Sequence, residues 1–244
     1  MSGASFDFQG QVVVVTGVGR VGQIGYAVAD GFAQAGARLV ISDRDGITLA
    51  SRAREFAARG VEVRAAAGDL TQPDVANWVV EQAVHNFGRL DVLVNVAGGL
   101  TDIAPVTEAS LDVLDKAIAI NVTTMDLVSR AAAQVMVKQR RGAIVSFASV
   151  AALSAKPSMA AYSAAKAGVA ALTRSMALEL RDSGVRVNAV APGLVRTGDN
   201  VGAMGDGPAR WVEIADIVHA VLFLSSDLAA GITGHVLPVS RGDT

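Results

Sequence analysis

Ser149, Tyr162 and Lys166 are the residues of this chain whose types and spacing point most directly to chemistry. A tyrosine hydroxyl can give or take a proton, but it ordinarily ionises near pH 10, too high for easy exchange at neutrality. In Ala161-Tyr162-Ser163-Ala164-Ala165-Lys166 a lysine follows four residues after the tyrosine. On a helix such residues share a face, so the ammonium would lie beside the ring and stabilise its phenolate. The spacing therefore predicts a Tyr162 with a lowered pKa. The same pair also fits a solvated lysine beside an ordinary surface tyrosine, so its weight depends on the scaffold that carries it.

That scaffold reads as α/β. Compact apolar runs at Gln11–Thr16, Arg38–Ser42, Val61–Ala66, Leu90–Asn95, Ala143–Phe147, Val185–Val190 and His235–Val239 have the pattern of strands buried on both faces. Helical spacing fills the intervals Tyr26–Ala35, Ile47–Arg59, Asp74–Phe87, Leu111–Arg140, Ala160–Arg181 and Ile214–Ser225. Strict alternation of strand and helix predicts a single-domain, doubly wound, seven-stranded parallel sheet with helices on both faces, a Rossmann fold. Tyr162 and Lys166 then sit near the start of the fifth helix.

The first strand ends in Thr16-Gly17-Val18-Gly19-Arg20-Val21-Gly22-Gln23-Ile24-Gly25 and passes directly into a helix. Glycines there let the backbone turn sharply and approach a pyrophosphate, whose charge meets the helix N-terminus. Asp43 ends the second strand, where a carboxylate can accept hydrogen bonds from the adenosine ribose and repel a 2′-phosphate. The expectation is a dinucleotide, NAD(H) favoured over NADP(H), although Arg20 and Arg44 offer a phosphate two guanidinium groups. Asp43 as a mere turn residue is the plainer alternative.

Composition narrows the classes. With 244 residues the chain suits one domain. A net charge of −2 and scattered arginines give no field for nucleic acid or anionic lipid. The absence of cysteine removes thiol nucleophiles and thiolate metal sites, and the three histidines have no ligand spacing. No basic segment followed by an apolar one opens the sequence, and no apolar run could span a bilayer, so a cytoplasmic protein is expected. Charged residues make up only 18%, below the usual quarter or so, which predicts that other subunits cover part of the surface.

Taken together, these motifs resemble the short-chain dehydrogenase/reductase family along essentially the whole chain. The resemblance rests on the glycine turn, Gly68-Asp69-Leu70, Asn95-Val96-Ala97-Gly98, Asn121, the Ser149, Tyr162 and Lys166 set, and Pro192-Gly193-Leu194-Val195-Arg196-Thr197. It implies that Tyr162 exchanges a proton with an alcohol or carbonyl oxygen that Ser149 hydrogen-bonds. Lys166 would bind the nicotinamide ribose as well as tune the tyrosine, and Asn121 would hold a water linking the lysine to solvent. Gly17, Gly19, Arg20, Gly22 and Ile24 would then cradle the cofactor, with Asp43 at the ribose and Asp69 and Leu70 at the adenine. Asn95, Ala97 and Gly98 would line the cleft, and Pro192, Gly193, Val195 and Thr197 would surround the carboxamide. Asn95 and Asn188 also suit a purely structural role joining strands.

The sequence departs from the family pattern twice. Its glycine turn is two residues longer than the common form, a length similar to that of divergent enoyl-thioester reductases. Those enzymes space tyrosine and lysine more widely and lack the serine, so the catalytic half looks like that of an enzyme of secondary alcohols and ketones. Enoyl-thioester reduction and a catalytically idle dinucleotide sensor or scaffold stand as the alternatives. Second, the stretch from Pro192 to Asp216 looks about a dozen residues shorter than in typical 3-oxoacyl-thioester reductases. Within it the glycine-dense Gly198–Pro208 has no periodicity, which predicts a mobile loop and a short lid over about 196–212. Leu153, Met159, Leu194, Met204 and Trp211 are expected pocket walls. The resemblance also implies a homotetramer packed through Leu111–Arg140 and Ala160–Arg181.

Overall fold

The computed structural model describes residues 6–154, 156–205 and 210–242. The opening residues and 206–209, the latter within the expected lid, lie outside them. Seven parallel strands form one sheet: β1 (Val12–Thr16), β2 (Arg38–Asp43), β3 (Val63–Ala67), β4 (Val92–Asn95), β5 (Gly142–Phe147), β6 (Val185–Pro192) and β7 (Val236–Val239). Their order is β3-β2-β1-β4-β5-β6-β7. The winding direction reverses between β1 and β4, and a crevice opens at such a switch point on the carboxyl ends of the strands.

Alternation along each strand explains the two layers. Val13 and Val15 of β1 join one core with Val92, Val94, Leu39 and Ile41, whereas Val12 and Val14 join another with Leu93 and Val40. The first core is closed by α1 (Ile24–Gln34), α2 (Gly46–Ala58) and α8 (Ile214–Ser225) through Val28, Phe32, Leu49, Phe56, Ile217 and Val221. The second is closed by α3 (Pro73–Phe87), α5 (Thr124–Gln139) and α6 (Ala160–Leu180). Val12–Val15 is apolar at every position because both of its faces are covered.

Two expected elements differ. The single helix Leu111–Arg140 is divided into α4 (Leu111–Ile118), a wider π-helical turn (Ala119–Thr123) and α5. At that turn the Asn121 amide donates to the Ala117 carbonyl (3.0 Å) and the Thr124 hydroxyl to the Ile120 carbonyl (2.7 Å). Side chains that take backbone acceptors in this way compete with the regular ladder. The expected loop after β6 contains α7 (Gly198–Met204), whose start is fixed by the Thr197 hydroxyl accepting the Asn200 N–H. Gly205 ends it with φ near +71°.

Candidate active site

β5 and α6 bring Ser149, Tyr162 and Lys166 together. Ser149 follows the end of β5, is buried, and accepts the Ala151 N–H (3.2 Å) at the head of a short 3-10 turn. Its side chain also hydrogen-bonds the Tyr162 hydroxyl. Lys166 is only 5% exposed; its ammonium donates to the Phe147 carbonyl (2.8 Å) and lies 5.7 Å from the centre of the Tyr162 ring. The shared helix face inferred from the four-residue spacing is present.

The electrostatics correct the first expectation. Tyr162 is raised above its ordinary value of 10, chiefly because burial penalises the phenolate, and the Ser149 hydrogen bond offsets this only in part. Lys166 does not bring it down. Burial lowers Lys166 itself to about 8, so the cation expected to tune the tyrosine is poised to lose its own proton. The spacing gives the partnership correctly, but it carries no information about depth below the surface, and desolvation decides the sign.

Asn121 lies at the π-helical turn and reaches back to the chain leaving β4. Its carbonyl oxygen accepts the Gly99 N–H (3.0 Å), and its amide donates to the Gly99 carbonyl (3.1 Å) as well as to Ala117. Both amide protons are thereby used, so the side chain holds the wall of the cleft. Asn95 is likewise occupied: its amide donates to Ser129 (2.9 Å) and Ser146 (3.2 Å), tying β4 to α5 and β5. Asn188 joins β6 to the Ile232 carbonyl (2.9 Å). The joining alternative accounts for both asparagines.

At the switch point Gly17 has φ near +76°, and a Cβ there would come within 3.0 Å of the Ala97 nitrogen. A Cβ on Gly19 would enter the Asp43 carboxylate at 2.7 Å; in the structure that carboxylate accepts the Gly19 N–H (2.7 Å) and the Asp45 N–H (3.2 Å). The turn and the Asp43 carboxylate are thus one unit. Gly22 lies at the exposed crest, and Ile24 begins α1, whose N-terminus receives no side-chain cap. An uncapped helix end beneath a glycine turn fits a pyrophosphate. Asp69 is exposed, while Leu70 is buried. The Asp69 carboxyl is held down by the Thr71 N–H, then by the Thr71 hydroxyl and by nearby Arg44.

Three features escaped sequence reasoning. The Thr16 hydroxyl accepts both the Val96 N–H (3.1 Å) and the Ala97 N–H (3.0 Å), sewing β1 to the cleft segment that also carries Gly98. A buried threonine closing an all-valine strand was the available signal. Arg20 pairs with Asp199 of α7 at 2.7 Å, across the mouth of the crevice. Asn200 donates to the Val195 carbonyl (2.7 Å), fixing the turn that Pro192 and Gly193 begin, and Gly193 donates to Val239 (3.0 Å). Among the expected pocket walls, Leu153 and Met204 are open to solvent, whereas Trp211 is 5% exposed.

A doubly wound sheet with a glycine turn at its switch point and a Ser, Tyr and Lys cluster on the neighbouring strand and helix defines an oxidoreductase of the Rossmann class. A family model described as Enoyl-(Acyl carrier protein) reductase matches residues 17–244, and the chain belongs to the short-chain dehydrogenase/reductase family. It is 33% identical to gluconate 5-dehydrogenase of Gluconobacter oxydans, over 98% of this chain and 96% of that one. It is 38% identical to the inactive 2-(S)-hydroxypropyl-CoM dehydrogenase 2 of Xanthobacter autotrophicus, over 86% of this chain and 96% of that protein. A crystal structure of a gluconate 5-dehydrogenase from Burkholderia cenocepacia, in complex with NADP and tartrate, superposes with a TM-score of 0.90 at 29% identity, covering 98% and 96% of the two chains. Among the described residues no helix is long and apolar enough to cross a membrane.

Proposed function

We propose that the protein is an NAD(H)-dependent dehydrogenase or reductase of secondary alcohols and ketones, with Tyr162 as its general acid and base. The observation that carries this reading is the place of one partly buried tyrosine between a serine side chain that hydrogen-bonds it and a lysine ammonium 5.7 Å from its ring centre. When bound, the nicotinamide supplies or accepts the hydride. Ser149 holds the substrate oxygen and points it at the Tyr162 hydroxyl. In ketone reduction, the raised pKa keeps Tyr162 protonated at neutrality, so it has a proton to give as negative charge grows on that oxygen. In alcohol oxidation it must take a proton, which calls for prior deprotonation, eased by the Ser149 hydrogen bond. Oxidation should therefore rise with pH through the alkaline range.

Cofactor preference follows from Asp43, whose charge disfavours a 2′-phosphate, although a relative of the family was solved with NADP. We read the site as preferring NAD(H). The expected homotetramer fits exposed Leu111, Leu114 and Val137 beside exposed Leu178, all on the helices expected to pair, with Leu237 on the edge strand β7. A monomer mass by light scattering at micromolar concentration would contradict it. The protein is expected to act in the cytoplasm.

The idle-sensor reading has a precedent in the inactive relative, and enoyl-thioester reduction has one in the description of the family model. NADH consumption with a panel of ketones, but not with enoyl thioesters, separates the three. Turnover of enoyl thioesters alone, or of nothing in either panel, overturns the proposal.

A further inference from the structure

Between Leu100 and Ile103 the chain inverts the ordinary pattern of a surface loop. Leu100 and Ile103 are 51% and 59% exposed, whereas the Thr101 hydroxyl is closed to solvent and has no hydrogen-bond partner among the described residues. A hydroxyl shut away unpaired and aliphatic side chains left in water are each unfavourable. Bonds at both ends hold the segment in this state. The Ala104 N–H donates to the Ser158 carbonyl (3.1 Å) and the Lys116 ammonium to Asp102 (3.4 Å), while Asn121 fixes Gly99 at the other end. The inversion recurs around the candidate site. Ser163, next to Tyr162, also has its hydroxyl closed off and unpaired, while Leu153 and Met204 are 46% and 62% exposed.

We infer that Leu100, Ile103, Leu153 and Met204 form a subsite for the hydrocarbon part of the alcohol or ketone substrate, which is an apolar compound rather than a polyol. Their place in the fold gives the occupant. Leu100 and Ile103 follow the carboxyl end of β4, Leu153 that of β5 and Met204 that of β6, the end of a doubly wound sheet at which ligands bind. Leu153 is held in the turn that Ser149 opens, where the Ala152 N–H donates to the Ser149 carbonyl (3.0 Å) and the Leu153 N–H to that of Val150 (2.9 Å). It is thus fixed within four residues of the serine expected at the substrate oxygen. Asp102 is paired with Lys116 and Asp199 with Arg20, and the Thr101 and Ser163 hydroxyls are out of a ligand's reach. A polyhydroxylated substrate would therefore give up water against these apolar side chains without gaining partners from those groups. An apolar one removes aliphatic surface from water on both sides. The inference rests on the oxidoreductase reading for the reacting group, but its test does not require turnover.

The test is calorimetric titration of the full chain, saturated with NAD⁺ so that a ketone cannot be reduced, with 2-hexanone, 2-heptanone, 2-octanone and the six-carbon polyol ketone D-fructose. Affinity should rise about two- to fourfold with each added methylene, and D-fructose should bind more weakly than 2-hexanone. Leu100→Asn with Ile103→Asn should reduce the rise to below about 1.5-fold per methylene. Both side chains are exposed, so the doubly changed protein should fold; Leu153→Asn with Met204→Asn repeats the test from the other two segments. Thr101→Val should leave every affinity within about twofold, because the hydroxyl it removes is out of reach. Affinity that does not grow with chain length overturns the inference, as does a rise that survives both double substitutions. D-Fructose binding more tightly than 2-hexanone also overturns it. Light scattering closes the remaining route: a smaller particle mass in either doubly changed protein assigns these side chains to a contact between copies and ends the subsite. The two readings fail separately. Alkanones turned over with NADH without a dependence of binding on length sink only the subsite, and length-dependent binding without turnover sinks only the activity.

Discussion

The two sides of the crevice are built on opposite terms. On the proton-transfer side Ser149 and Lys166 are buried and anchored to the backbone of β5 and the 3-10 turn that follows it. On the rim, Arg20 and Asp199 meet through side chains 68% and 54% exposed, on a glycine turn and a helix of seven residues. Desolvation shifts the ionisation of the first set, whereas water screens the second. The groups with displaced pKa values therefore sit where α6 packs on β5, and the screened pair stands on the rim. The largest consequences of substitution should fall on the first side and the smallest on the second.

Tyr162→Phe removes only the oxygen proposed to transfer the proton. It should lower kcat by about 10²–10⁴-fold while leaving NADH affinity nearly unchanged, since general acid/base catalysis contributes on that scale. A variant that keeps more than about a tenth of the rate with neutral ketones would remove Tyr162 from the mechanism.

Lys166 separates activity from stability. Unfolded, its amine titrates near 10.5; folded, near 8, so below pH 8 the folded state carries the full cost of a buried charge. That cost declines as pH rises from about 8 to 10.5 and vanishes above it. Lys166→Met should abolish turnover and damage cofactor binding, yet raise thermal stability at pH 7 by up to about 3 kcal/mol, less whatever the orphaned Phe147 carbonyl costs. The gain should shrink between pH 8 and 10.5. A melting temperature lower than that of the unaltered protein at pH 7, or a gain that grows with pH, would show that Lys166 is not a strained cation.

Asp43 lies between the two sides, a clamp on the glycine turn and the proposed ribose acceptor. Asp43→Ser should shift the NADPH to NADH ratio of kcat/KM toward NADPH by about 10-fold, helped by Arg44. It should also weaken both cofactors slightly, because the Gly19 N–H loses a charged acceptor at 2.7 Å. A higher kcat/KM with NADPH than with NADH in the unaltered protein would refute the preference.

The buried side was the more legible in sequence. Strands such as Val12–Val15 announce themselves because a strand covered on both faces has no polar positions, and the Tyr162 and Lys166 contact follows from helix geometry. The sign of the Tyr162 shift did not follow, since it depends on burial created by distant segments. The π-helical turn was not read because the local bonds at it, Asn121 to Ala117 and Thr124 to Ile120, also occur in regular helices, and the bonds of Asn121 to Gly99, 22 residues away, leave no local pattern. α7 was missed because glycine density masked it; Thr197 and Asn200 at capping distance were the signal. The Arg20 and Asp199 pair joins residues far apart in the chain and has no sequence signature.

That pair gives the smallest and sharpest test of the contrast. It links the lengthened glycine turn to α7, so it is the proposed latch if α7 closes over bound cofactor. Exposed ion pairs contribute about 0–1 kcal/mol, which allows at most about a fivefold change in cofactor release. Arg20→Glu should speed NADH dissociation by two- to fivefold in low salt and much less in 0.5 M salt, where the unaltered protein should itself release faster. Because Arg20→Glu could also act directly on the pyrophosphate, the exchanged protein Arg20→Glu with Asp199→Arg decides the matter. If the residues act as a latch, the exchange restores slow release and amide protection across α7 in the presence of cofactor, while the sheet core stays unchanged. If Arg20 acts on phosphate, the exchanged protein releases cofactor as fast as the single variant. Equal protection of α7 with and without cofactor in the unaltered protein would dismiss the lid itself, leaving the pair as an ordinary surface contact.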